Sequence, residues 1–285
     1  MSGAVVVGVD GSEPAVVAAR WAVREAALWR TSLTVLTVAE AGADRFGTAA
    51  EKIAEAVRDE LTATATEVPI ATATSVADVE SALRAASADA LLLALGPPTG
   101  TLSGLLAGTP DADLLARAGC PVVVVRGAGA DRVAGPVVVG VDGSPVSDAA
   151  VSWAFEEAAR RSTRLVALHA VHDGYDGRRF AVSPAALGVR LGEAERRAFA
   201  QRLGGWRERF PDVDVEPVLE RDRPRDRLLE RSEEAAVVVL GSRGRGGFTG
   251  MVLGSTTHAL LHHADCPVLV VGGEPGARSP RTEDR

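Results

Sequence analysis

Apolar residues along the chain fall into two alternating patterns. Short aliphatic runs, VVVGVD (5–10), LTVLTVA (33–39), LLLAL (91–95) and CPVVVV (120–125), are separated by longer segments with helical spacing. SEPAVVAARWAVREAALWR (12–30) spaces Val17, Trp21 and Leu28 as one helical face. Ser12 followed by Pro14 supplies a polar cap and a first-turn proline to open that helix. LLLAL and AVVVL (236–240) are apolar at every position, as strands covered on both faces tend to be. The alternation predicts parallel strands with helices between them.

The pattern then repeats. VVVGVDGS stands at 5–12 and again at 137–144, and the same spacing of 132 brings Trp21 onto Trp153, Glu25 onto Glu157 and Leu33 onto Leu165. Further along the spacing is 146, relating CPVVVV (120–125) to CPVLVV (266–271) and Gly108-Thr109 to Gly254-Ser255. The second copy therefore carries about 14 additional residues, expected near Tyr175–Arg190. This predicts an α/β chain of two tandem doubly wound parallel-sheet domains, 1–127 and 136–273. Residues 128–135 are read as a linker and 274–285 as a flexible tail. The final strands, being apolar, are expected at sheet edges that pair with each other or with a second chain in a homodimer.

Composition narrows the class. Hydrophobic residues are 46% of the 285, yet no uninterrupted run is long enough for a membrane span. MSGAVVVGVD lacks the marks of a signal peptide, so a cytoplasmic protein is expected. Residues 1–132 carry 10 basic and 16 acidic side chains, and 133–285 carry 21 and 22, so neither copy has the basic excess of a nucleic-acid binder. All basic residues are arginine except Lys52, which removes lysine from most mechanisms.

The richest chemistry lies in GSRGRGGFTGMVLGSTTH (241–258), directly after AVVVL. Its glycines let backbone N–H groups approach an anion. Gly254, Ser255, Thr256 and Thr257 open a helix whose free N–H groups favour phosphate. No lysine precedes a Ser or Thr here, so a Walker loop is excluded, and GVDGS after the first strand is not a dinucleotide fingerprint.

Gly, two residues, Gly, nine residues, then Gly and Ser or Thr is the pattern that Gly241, Gly244, Gly254 and Ser255 satisfy. With VVVGVDGS and the Cys-Pro before each last strand, it resembles the ATP-binding branch of the universal stress protein family, over essentially the whole chain. The resemblance implies the adenine nucleotide alpha hydrolase-like fold, a regulatory role in stress or dormancy, and ATP as ligand with or without Mg²⁺. It places Gly140, Asp142 and Asp173 near the nucleoside. Gly241, Ser242, Arg243, Gly244, Arg245, Gly246 and Gly247 would wrap the phosphates, and Ser255, Thr256 and Thr257 would add hydroxyls. The two arginines could neutralise phosphate or simply be solvated.

The first copy departs from this pattern. At spacing 146, Leu95 and Pro98 stand for Gly241 and Gly244, and Pro110 and Asp111 for Thr256 and Thr257. A one-residue gap would bring Gly96 onto Gly241 but leave Thr99 for Gly244. Gly8, Asp10, Gly108 and Thr109 remain, and Ala41 replaces Asp173. One nucleotide site, in the second copy, is expected.

Other candidates carry less. Cys120 and Cys266 are repeat equivalents, read as buried and structural. His258 and His262 have metal-compatible spacing but no intervening glutamate, so they are read as helix histidines and no metal is expected. Asp10 and Asp142 could instead cap the turns that follow them. RDRPRDRLLER (221–231) alternates charge and is read as a solvated helix start. No nucleophile, general base or carboxylate cluster is placed for phosphoryl transfer, so any ATPase should be slow and no catalytic residue is named. The loops of adenylyl transferases and ATP pyrophosphatases are missing from VVVGVDGSPVS, and a scaffold with a stabilising ATP is the third alternative.

Overall fold

The computed structural model describes residues 3–39, 48–97, 112–126, 128–171, 184–221, 223–244 and 252–272. The first half runs β1 (Val5–Gly8), α1 (Glu13–Trp29), β2 (Leu33–Ala39), α2 (Thr48–Thr64), β3 (Ile70–Val76), α3 (Val79–Ser87), β4 (Leu92–Leu95), α4 (Ala112–Arg117) and β5 (Val122–Val124). The second repeats it as β6 (Val137–Gly140), α5 (Pro145–Arg161), β7 (Leu165–Val171), α6 (Pro184–Arg209), β8 (Val215–Arg221), α7 (Pro224–Ser232), β9 (Val237–Gly241), α8 (Ser255–His263) and β10 (Val268–Val271).

The helices start where the sequence supplies caps. Ser12 Oγ accepts from Ala15 N at the head of α1, and Ser144 Oγ from Ser147 N at the head of α5. Each cap satisfies a donor that would otherwise be orphaned, stabilising its helix by about 1 kcal/mol. Both helices end on a left-handed residue, Arg30 (φ 52°) and Ser162 (φ 50°). The deepest face of α1 runs through Ala18, Ala22, Glu25 and Trp29, with Val17 and Leu28 at its margins. A glutamate on the buried stripe is a departure from the hydrophobic pattern.

All ten strands form one sheet, ordered β3-β2-β1-β4-β5-β10-β9-β6-β7-β8. Every pair is parallel except β5 with β10, which run antiparallel through Val124↔Val268, Val123↔Leu269 and Val122↔Val270. The two apolar last strands thus cover each other within one chain. Alternate strand residues point to opposite faces, and two cores result. One joins Val5, Val7, Val137 and Val139 to α1, α2, α5 and α6; the other joins Val6, Val138 and Val238 to α3, α4, α7 and α8.

Sheet register corrects the alignment of the two copies. Val5 pairs with Leu92 in the first half, and Val137 with Val237 in the second. Leu92 and Val237 are therefore equivalent at a spacing of 145, and Gly96, not Leu95, is the counterpart of Gly241. Packing agrees: a Cβ on Gly8 would meet Leu95 at 2.8 Å, and one on Gly140 would meet Leu240 at 2.7 Å. The spacing returns to 146 only by β5 and β10, so the odd residue falls between Gly96 and Cys120.

Candidate functional site

In each half the chain winds outward in both directions from its first strand, so the switch points lie between β1 and β4 and between β6 and β9. Ligands of open α/β sheets bind at the carboxyl ends of strands flanking such a point. Gly140 and Gly241 end β6 and β9 there.

The loop after β6 is built around Asp142. Its Oδ1 accepts from Ser144 N at 2.9 Å, and its own N–H donates to Ser147 Oγ at 3.1 Å. Gly143 between them takes φ +76°, a conformation that side chains disfavour. In the first half Asp10 makes the same turn, accepting from Ser12 N at 2.9 Å across Gly11 at φ +83°. Both aspartates therefore serve as turn caps, and Asp142 has in addition a carboxylate oxygen turned toward the second loop. A Cβ on Gly244 would lie 2.4 Å from Asp142 Oδ2.

The loop after β9 is stitched down on two sides. Ser242 N donates to Val271 O, and Gly254 N donates to Ser242 O, both at 2.8 Å. Thr257, buried at the first turn of α8, gives its hydroxyl to Gly241 O at 2.9 Å. That hydroxyl ties helix to strand, leaving Ser255, exposed, and Thr256, half-buried, to present theirs. Gly254 caps α8 without any side-chain hydrogen bond, whereas Ser12, Asp78 and Ser144 cap their helices with side-chain oxygens. Ser242 is fully buried, and its Oγ has no partner among the described residues. Arg243 is exposed.

The structure thus brings together Gly140, Asp142, Gly241, Ser242, Arg243, Gly244, Gly254, Ser255, Thr256 and Thr257. Asp173, Arg245, Gly246, Gly247, Gly108 and Thr109 lie outside the described residues. Sequence reasoning missed Ser147 and Val146. Ser147 stands where the first copy has Ala15, and Val146, where it has Pro14, lies beneath Gly241 (3.0 Å from an added Cβ). That polar-for-apolar difference at Ser147 was the available signal.

Other polar and aromatic side chains take places in the core or on helices. Trp21 and Trp153 are core residues. Cys120 and Cys266 are buried free thiols, pushed up to about 12 by burial. His169 donates from Nδ1 to Val141 O at 2.5 Å and packs on Phe199. The His258 and His262 rings lie 4.5 Å apart; burial first, and the His258 ring second, hold His262 below its usual range. No group of three or more metal-ligating residues occurs among the described residues. Nor is any helix among them long and apolar enough to cross a membrane.

The arrangement matches known proteins along its length. The universal stress protein family profile fits twice, over residues 1–126 and 134–272. A universal stress protein of Mycobacterium tuberculosis is 37% identical over 290 residues, covering 93% of this chain and 96% of the relative. One from Mycolicibacterium smegmatis is 38% identical over 292 residues, covering 94% and 96%. The crystal structure of a universal stress protein from Archaeoglobus fulgidus superposes with a TM-score of 0.72 at 20% identity, covering 96% of this chain and 98% of that one. The twofold family match and the relatives covered along nearly their whole length agree: the chain belongs to the universal stress protein family.

Proposed function

We propose that the second half binds ATP in the crevice between the carboxyl ends of β6 and β9, and that the protein is a cytoplasmic regulatory module of the stress response. The observation that carries this reading is the head of α8. Its first-turn N–H groups have no side-chain cap, and they adjoin the Gly241–Gly244 turn; a Cβ on Gly254 would lie 3.6 Å from Arg243 Cα. Such a site favours phosphate through N–H donors and the helix dipole together. The buried Ser242 Oγ, without a partner among the described residues, is a further polar group that a ligand or water would satisfy. Asp142 adjoins the same turn and would hold the nucleoside side or a Mg²⁺ carried by the nucleotide.

In the first half, Pro97 replaces Ser242 by the sheet register, losing both its hydroxyl and the N–H that ties this loop to Val271 O, while Thr99 replaces Gly244. One competent site per chain follows, in a chain divided at 1–127 and 136–273. Titrating the full chain with ATP in a calorimeter should give one site; two equivalent sites, or none, would sink the reading. If the role is regulatory, a folded Gly254 variant that has lost ATP should also lose its stress phenotype in cells.

A further inference from the structure

Repeat-equivalent residues meet in the middle of the molecule. Glu25 of α1 and Glu157 of α5 are each 1% exposed, and Arg161 beside them is 8% exposed. Trp29 Nε1 is shared, 3.0 Å from Glu25 Oε1 and 3.0 Å from Glu157 Oε1. Arg161 donates through Nε to Glu157 Oε2 at 3.1 Å and through Nη2 to Glu25 Oε2. At the repeat spacing Trp29 and Arg161 are themselves equivalents, so the twofold pattern of the glutamates is broken one turn later.

Charge does not balance here unless a proton is present. Two carboxylates face one guanidinium where water is excluded, and an uncompensated buried charge is costly. Trp29 Nε1 and Arg161 each reach both carboxyl groups, so the two acids are held close together, where like charges repel. The neighbouring charges are engaged elsewhere. Arg24 bonds Asp131 and Ala130 O, Arg160 pairs with Glu156 and lies 4.0 Å over the Trp29 ring, and Arg209 of α6 acts on Glu156. The strands beneath, β4, β9 and β10, contribute Leu92, Val237, Val239, Leu269 and Val271 to this core.

We propose that Glu25, Glu157, Trp29 and Arg161 form a proton-operated latch between the two halves, closed when one proton bridges the glutamates and loosened when it is lost. The sign of the pH dependence follows from Glu25. Burial, and secondly the charge of Glu157, push it up from 4.5 to about 8. The unfolded chain gives up this proton near its ordinary value, whereas the folded chain keeps it until about pH 8. The proton's contribution is complete below the unfolded value and is lost as pH rises through the folded one. Between those limits the folding constant should fall about tenfold per pH unit on this account.

Urea unfolding of the full chain between pH 5 and 9 tests this against Glu25→Gln, which keeps a donor on the pair and no titrating proton. We expect the wild-type chain to lose about tenfold per unit more than the variant over pH 5–8; equal slopes would overturn the latch. Amide exchange along β5 and β10, corrected for intrinsic rates, should lose more protection with rising pH in wild type than in the variant; equal loss would overturn it. Should the variant not fold, ¹³C-glutamate NMR of the wild-type chain decides: a carboxyl titrating above pH 7 is expected, and its absence refutes the proposal.

Discussion

Replacing Gly244 by alanine tests the contact that joins the two loops of the site. Gly244 is not among the glycines of positive φ, so alanine can adopt its backbone. On backbone grounds alone such a change stabilises by about 0.4–1 kcal/mol, through the unfolded state. The new Cβ, however, would lie 2.4 Å from Asp142 Oδ2, about 1 Å inside ordinary contact. Asp142 cannot turn away freely, because its other oxygen holds Ser144 N at 2.9 Å. Losing that charge-assisted bond costs about 1.5–3 kcal/mol. The net expectation is a destabilisation of about 1–2 kcal/mol after the entropic gain is subtracted. Urea denaturation followed by circular dichroism reads it out, with Asp142→Ala as the second arm of a double-mutant cycle. Without the carboxylate, Gly244→Ala should be neutral or mildly stabilising. Additivity within about 0.5 kcal/mol would refute the contact between the loops.

Two further outcomes are expected. Phe155→Ala should cost about 3–5 kcal/mol in urea unfolding, because Phe155 is fully buried and stacks on Trp206 at 6.0 Å and Phe210 at 5.6 Å. A cost below about 1 kcal/mol would contradict that packing. Cys120 and Cys266, buried and pushed up to about 12, should resist a thiol reagent at pH 8 until the chain unfolds, when both react; rapid labelling of the native chain would show them accessible.

Much of the fold was legible because it is written in short-range patterns. The aliphatic runs became strands, Ser12 became a cap as did its repeat equivalent Ser144, and the repeat marked the two halves. The candidate site was legible in its glycines and in Asp142, which the sheet sets at adjoining strand ends. Register was not. A single odd residue after Gly96 moves a whole loop alignment, and only cross-strand pairing shows where it falls. Helical periodicity also hid Glu25, since a charged residue on a buried stripe makes sense only once Glu157, Trp29 and Arg161 arrive from elsewhere in sequence. The bond from the Thr257 hydroxyl to the Gly241 carbonyl was hidden for a related reason, since it joins residues sixteen positions apart.

The seam between β5 and β10 spans only three residue pairs. Between separate chains, so short a seam would form or dissolve with protein concentration. On one polypeptide, the segment from Val124 to Val137 holds the two strands at an effective concentration of the order of millimolar, whatever the abundance of the protein. Tandem duplication thereby makes the pairing insensitive to dilution and to expression level. A first half with Pro97 and Pro98 where the second has Ser242 and Arg243 is thereby kept as a permanent, stoichiometric companion for the other.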